Sequence, residues 1–293
     1  MADDVWEIAG AGVAAWVRAA GAELVSLRDG AGDELLWTAG PEWPRHAPVL
    51  FPIVGKLRGD ALRHGGETRR LTQHGFARDR VFGWVERSAS RATLRLRDDA
   101  ATRDVYPWPF ALTLDYVAEG STLSVAATVE NPGEAPLPFA LGAHPGFRWP
   151  LMDGAAKSDH VLVFSTRETG PRLPVVEGLL GAPAPLGFDG ETLPLDEALF
   201  KDDALVLPDV SSRSVRYEAR GLDGAALRAL TVAWEGYGDL GVWSKPSGAP
   251  FLCIEPWAGM ASPIDWDGAF EDKPGLTLLP PGTAARFVWS VTV

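Results

Sequence analysis

Cysteine is nearly absent from this chain: Cys253 stands alone among 293 residues. One thiol makes no internal disulfide, so the fold must be held by its core, and a reducing compartment fits such usage. Cys253 lies inside the apolar run Phe251-Leu252-Cys253-Ile254, where a small buried hydrophobe is the expected role. Positive charge is also in short supply. With 27 basic against 39 acidic residues the formal net charge is -12, which argues against a polyanion-binding surface spread over the molecule and against nucleic acid as a partner. A local pocket for one phosphate stays open, because Lys56, Arg58 and Arg63 lie close together in sequence. No hydrophobic stretch approaches the length that spans a bilayer. The segment Met1-Ala-Asp-Asp-Val-Trp6 has no basic region leading into an apolar one, so the expected setting is the cytoplasm, away from membranes.

Several chemistries have no foothold. There is no Gly-Lys-Ser/Thr ending of a P-loop and no Gly-x-Ser-x-Gly elbow. No histidine pair stands at helical spacing, no cysteine pair occurs, and Asp202-Asp203 and Asp265-x-Asp267 are too short for a calcium loop. The expectation is an activity without metal or cofactor.

What is present is strand-and-turn punctuation. Short apolar or alternating runs are separated by Gly, Pro, Asp and Asn, with 24 prolines and 32 glycines spread along the chain. Ala111 to Val117, a turn at Glu119-Gly120, and Leu123 to Val129 read as an antiparallel hairpin. Similar runs occur at Ala22 to Leu27, Ala92 to Leu96, Val161 to Phe164, Val215 to Tyr217, Leu227 to Ala233, Leu240 to Trp243, Phe251 to Ile254 and Ala285 to Val293. So many strands predict an all-β fold of two large sheets packed face to face, in one domain over residues 1–293. Helix should be scarce, a turn or two over Leu195 to Phe200 behind Pro194. Pro171 to Pro194 shows little alternation and reads as a long surface excursion, either plain loop or a flap over a site.

Glu255 ends the apolar run and is followed at once by Pro256 and Trp257. Proline cannot donate to a sheet ladder, so the carboxylate is expected at a strand end, facing a cleft. Position alone admits two readings of equal weight, an ion-paired structural glutamate and a functional group with a raised pKa. Two histidines change the balance. His74 in Gln73-His-Gly-Phe-Ala-Arg78 and His144 in Leu141-Gly-Ala-His-Pro-Gly-Phe147 each have a Gly or Pro beside them, which suits a ring presented to a cavity. Twelve tryptophans are many for this length, and Trp84, Trp149, Trp243 and Trp257 fall near these residues. Most must fill a core, but indole is also a platform for the apolar face of a sugar ring.

Five ordered segments resemble the motifs of the aldose 1-epimerase (galactose mutarotase-like) family, with most likeness to its LacX-type branch. They are Leu50-Phe-Pro-Ile-Val-Gly-Lys56, Gln73 to Arg78, Leu141 to Phe147, Leu199-Phe-Lys-Asp-Asp-Ala-Leu205, and Trp243-Ser-Lys-Pro through Cys253-Ile-Glu-Pro-Trp257. The resemblance implies a β-supersandwich without metal or cofactor, acting on a small sugar. It implies Glu255 as general base, His144 as general acid and His74 as a substrate ligand near the ring oxygen. Asp203 would bind sugar hydroxyls, with its neighbour Asp202 as the alternative register. Where similar proteins carry arginine after Phe-Pro-Ile-Val-Gly, this chain has Lys56, with Arg58 two residues on; strand alternation would place both on one face, either of them in reach of substrate. Trp243 and Trp257 would wall the site.

Three other readings share these residues. A sugar sensor would use Glu255 and His144 only as hydrogen-bonding groups. A glycoside hydrolase would pair Asp203 with Glu255, leaving the His144 motif unexplained. A hexose 6-phosphate mutarotase, which the Gln73 to Arg78 motif also resembles, would bind phosphate through Arg78 with Lys56 or Arg58, although an ion pair of Arg78 with Asp79 is the simpler role for that guanidinium.

Overall fold

Alternation of period two becomes two large antiparallel sheets in a computed structural model, which describes residues 4–293. The nine-stranded sheet runs in the order Thr192–Pro194, His160–Phe164, Ser214–Arg220, Ala226–Glu235, Ala284–Thr292, Thr122–Glu130, Ala111–Glu119, Arg91–Arg97, Gly83–Arg87. The expected hairpin is there: Glu119 stands opposite Thr122, and Gly120 takes φ 57°, the left-handed conformation a two-residue hairpin turn needs. Alternate residues of these strands, among them Leu112, Leu114, Tyr116, Leu123, Val125, Phe287 and Trp289, enter the main core.

The second sheet carries the site. Its strands are β1 (Val49–Leu50), β2 (Leu141–Ala143), β3 (Gly146–Arg148), β4 (Leu205–Leu207), β5 (Asp239–Trp243) and β6 (Phe251–Ala258). They run in the order β4-β5-β6-β2-β1, and β3 also pairs with β6. All eight residues of β6 are buried. Leu252 and Ile254 face the main core, while Phe251 and Cys253 pack on the opposite face with Trp37, Trp43 and Trp243, and Trp257 packs there with Leu50, Val54 and Val206. A strand covered on both faces reads as a continuous apolar run, and each large aliphatic side chain so buried contributes about 1.5–3 kcal/mol.

The expected strand end at Glu255 is corrected by this arrangement: β6 continues through Pro256 to Ala258. Ile254 N–H donates to Pro145 O at 3.3 Å, and Pro256, two residues on, faces the same side. That side is the gap between β2 and β3, where the ladder is interrupted and no donor is needed. Lys56 and Arg58 are corrected too. Neither lies on a strand: Lys56 is in the loop after β1, and Arg58 is an exposed residue opening a 3-10 turn, Arg58–Asp60, whose Gly59 has φ 65°. Alternation therefore does not apply to them.

Helix is scarce, as expected. A 3-10 turn covers Glu197–Phe200, opened by the Asp196 side chain accepting from Ala198 N–H. An unanticipated α-helix covers Ala100–Val105, with Asp99 and Thr102 in a reciprocal capping box; six residues are too few to show an apolar period. Among the described residues no helix is long and apolar enough to cross a membrane. The Pro171 to Pro194 excursion is more ordered than a plain loop. Val175–Val176 pairs with Leu179–Leu180, and backbone hydrogen bonds from Leu180 to Ser262 and from Ile264 to Leu180, both 2.9 Å, tie this hairpin down.

Candidate active site

Register places the two central residues. Strands β2 and β3 are one strand broken at His144-Pro145: Gly142 stands opposite Trp257 and Gly146 opposite Cys253. Continuing that register across the break sets His144 opposite Glu255, the relation in which side chains on one face of a sheet meet. On the other flank Gly241 stands opposite Glu255. The Trp257 indole lies across both glycines, so a Cβ on Gly241 would fall 2.3 Å from its ring and one on Gly142 2.7 Å. The glycines are thus what lets an indole lie flat beside the carboxyl group.

His144 Nε2 is 3.2 Å from Glu255 Oε2, with the two residues 7% and 1% exposed. The approach is close but lacks hydrogen-bond angles. Glu255 Oε2, His144 Nδ1 and Trp257 Nε1 all have no hydrogen-bond partner among the described residues. A buried polar group left unpaired costs about 1–3 kcal/mol, so three such atoms beside one another single this place out as the candidate site. Trp43 lies over the His144 ring at 5.0 Å between centroids, while Trp243 and His74 meet it edge-on at 5.8 and 5.6 Å.

His74 is held in a conformation that side chains rarely adopt, φ 65°, at a cost of order 1–3 kcal/mol. Its backbone N–H donates to Gly55 O at 2.8 Å, and Gly55 N–H donates to its Nδ1 at 3.1 Å. Nδ1 therefore accepts, which puts the proton of the neutral ring on Nε2, 3.3 Å from the Gln73 side-chain amide, whose oxygen is the end able to accept it. Arg78 donates through Nη2 to Gln73 O at 2.8 Å, and its Nε is 3.8 Å from Asp79 Oδ2. Asp79 Oδ1 instead accepts from Arg45 Nη2 at 2.8 Å.

Burial dominates the electrostatics. It pushes the Glu255 carboxyl well above its ordinary range, and the charge of Asp203 adds to the shift against the opposing effect of Trp257. It pushes His144 down to about 3, helped by the nearby Arg78 charge. His74 is held well below its usual value by burial, then by His144 and Arg78, and Arg78 itself falls to about 10 through burial and its neighbour Arg45. Burial therefore favours the uncharged form of the pair, carboxylic acid beside neutral imidazole.

These groups line a cavity of about 280 Å³. Gln73, His74, Arg78, Asp203, His144 and Glu255 supply polar atoms, Trp43, Trp243 and Trp257 supply aromatic walls, and Val54, Val175, Leu180 and Val206 supply aliphatic ones. Seven residues singled out in the sequence thus come together: Glu255, His144, His74, Arg78, Asp203, Trp243 and Trp257. Lys56 and Arg58 do not line the cavity. The Lys56 stem packs against Gly178, whose missing Cβ would lie 3.1 Å from it, and Arg58 is in solvent. Asp203 lines the wall and Asp202 does not. Trp84 bonds Asp4 at the far edge of the nine-stranded sheet, and Trp149 packs on Phe200; neither belongs to the site.

Trp43, Gln73 and the hairpin residues Val175 and Leu180 were not anticipated individually. Trp43 comes from a loop with no strand pattern, held by the Trp37 indole N–H donating to its carbonyl at 2.8 Å. Its only local signal is an aromatic residue beside Pro44. The hairpin shows that the Pro-rich excursion reaches the cavity wall.

The aldose 1-epimerase family model matches residues 4–266. Protein LacX of Lactococcus lactis subsp. lactis, in its plasmid and chromosomal forms, is 32% identical over 284 residues, covering 93% of this chain and 94% of LacX. A galactose mutarotase related enzyme from Lactobacillus acidophilus superposes with a TM-score of 0.90 at 32% identity, covering 98% of this chain and 96% of that one. A galactose mutarotase-like protein from Lactobacillus casei gives 0.89 at 29% identity, covering 98% and 99%. The fold is accordingly the galactose mutarotase-like β-supersandwich, and the chain belongs to the aldose 1-epimerase family.

Proposed function

We propose that this protein interconverts the α and β anomers of a free hexose by acid/base ring opening. The observation that carries the reading is the buried His144–Glu255 pair, 3.2 Å apart, sharing one proton at the wall of a sugar-sized cavity. Glu255, as carboxylate, takes the proton from the C1 hydroxyl while His144, as imidazolium, gives one to the ring oxygen. The C1–O5 bond breaks, the C1 carbonyl forms, rotation about C1–C2 presents the other carbonyl face, and reclosure reverses both transfers. His74 Nε2–H donates near the ring oxygen, Asp203 and Arg78 hold hydroxyls, and Trp243 and Trp257 pack against the ring.

The displaced pKa values give this scheme a driving force. A carboxylate whose conjugate acid is held by burial is a stronger base than usual, and a desolvated imidazolium is a stronger acid. Ring opening converts the charged pair into the neutral pair that burial prefers. Each positioned proton transfer typically contributes ~10²–10⁴-fold, so the two together account for a large acceleration without a covalent intermediate.

A phosphorylated substrate would call for a second cation beside Arg78. Among the described residues Arg78 is the one basic side chain lining the cavity, which favours the unphosphorylated sugar. Polarimetry of freshly dissolved α-glucose and α-galactose, with and without protein, tests the reading. Faster anomer exchange supports it, and saturable sugar binding without acceleration overturns it in favour of a sensor. Exchange NMR on glucose and glucose 6-phosphate then decides the substrate form, with faster turnover of the phosphate sinking the preference stated here.

A further inference from the structure

Cys253 has no part in the proposed chemistry, yet it stands two residues before Glu255 on the same face of β6. The geometry points to a site for a soft divalent cation, Zn²⁺ or Cd²⁺, formed by Cys253, Glu255 and His144 inside the cavity wall. One ligand atom from each residue, sulfur, carboxylate oxygen and ring nitrogen, lies within 4.8 Å of the other two. All three residues are buried. Tetrahedral zinc with bonds of about 2.0–2.3 Å holds its ligands somewhat closer than that, so the side chains must close on the ion by about 1 Å. Glu255 Oε2 has no hydrogen bond to give up among the described residues, His144 turns Nε2 toward it at 3.2 Å, and Cys253 is a free thiol.

Charge balance is the physical reason for such a site to accept a dication. The Cys253 and Glu255 side chains are both buried, where an anion without a counterion is costly. Binding exchanges both protons for the ion: M²⁺ plus thiol plus carboxylic acid gives a thiolate–carboxylate–imidazole complex and two H⁺. The buried charge is unchanged, whereas either anion alone would be left without a counterion. Three protein ligands leave the fourth position open toward the cavity, the arrangement in which zinc keeps a water or another small ligand. The consequence for activity rests on the function proposed above: an ion that takes up Glu255 and His144 removes both acid and base and competes with sugar.

Because Cys253 is the only cysteine, a thiolate signature can have one source. Cd²⁺ titrated into the untagged protein should produce a thiolate-to-cadmium charge-transfer band in the near ultraviolet, and metal addition to weakly buffered protein should release about two protons per ion. The band should vanish in Cys253→Ala and Cys253→Ser, and Zn²⁺ affinity should fall by more than the ~10–100-fold that loss of a mere supporting partner costs. Without metal, both variants should keep wild-type mutarotation. No band in the wild type, or a band that survives in either folded variant, overturns the site. Zn²⁺ inhibition of equal strength in wild type and Cys253→Ala overturns it as well. A band with two-proton release but undisturbed mutarotation upholds the site and instead removes Glu255 and His144 from the catalytic reading.

Discussion

The two faces of β6 differ in kind although their residues alternate along one short strand. Leu252 and Ile254, turned to the main core, are packed by aliphatic and aromatic neighbours and carry no polar side-chain atom. Cys253, Glu255 and Trp257, turned the other way, are buried just as deeply but include unpartnered polar atoms beside a cavity. Equal burial has opposite energetic meaning: on one face it stabilises the fold, and on the other it strains ionisable groups away from their ordinary states. The lesson is that depth alone does not identify core. What separates the faces is whether polar groups find partners.

Substitution on each face tests that separation. The largest effect expected is on rate: Glu255→Gln and His144→Ala should each lower mutarotation by ~10²–10⁴-fold with the circular dichroism spectrum unchanged, and near wild-type rates in both would remove the acid/base assignment. Next comes the core face, where Ile254→Ala should destabilise by about 2–5 kcal/mol in urea titration while leaving the rate per folded molecule nearly intact. A strong loss of specific activity there would blur the distinction between the faces. Gly241→Ala sets a methyl against the Trp257 ring, so it should cost about 1–3 kcal/mol through overpacking and raise the KM for sugar more than it lowers kcat.

The two smallest effects depend on pH. Activity requires one shared proton on the pair, and with His144 pushed down to about 3 the acid limb of kcat/KM should lie far below the ordinary imidazole value of 6.5. A limb near 6.5 would mean that His144 is hydrated in solution. Glu255 gives the converse test in stability. Its folded pKa is raised above the ordinary 4.5, so the stability it lends is complete below that pH and is lost as pH rises toward the folded value. Glu255→Gln cannot ionise and should match the wild type near pH 4, then gain on it as pH rises toward the raised folded value, read as a Tm difference that widens with pH. A gap that shrinks with pH would show the carboxyl to be stabilised as an anion.

The strands were legible because alternation and Gly or Pro punctuation are local. Ala111 to Val117 and Leu123 to Val129 paired as read, with strands a residue or two longer. Pro256 reads locally as a strand end, yet β6 runs on through it because its neighbour is interrupted at His144-Pro145. Lys56 and Arg58 differ from expectation for a related reason: they lie in a loop and a 3-10 turn, where alternation does not hold. Trp43 offers only an aromatic residue beside Pro44, which does not show where its ring will lie.

By itself the sequence determined the all-β class, the near absence of helix, and the residues whose chemistry suits a sugar, because those depend on composition, local period and motif. Only the tertiary structure decided which of them meet. The register that sets His144 across from Glu255 joins positions more than a hundred residues apart, and the glycines at 142 and 241 matter only because Trp257 lies over them. Pairing between distant strands is set by how both faces of the sheet can be buried at once, a condition on the whole chain that no short segment carries.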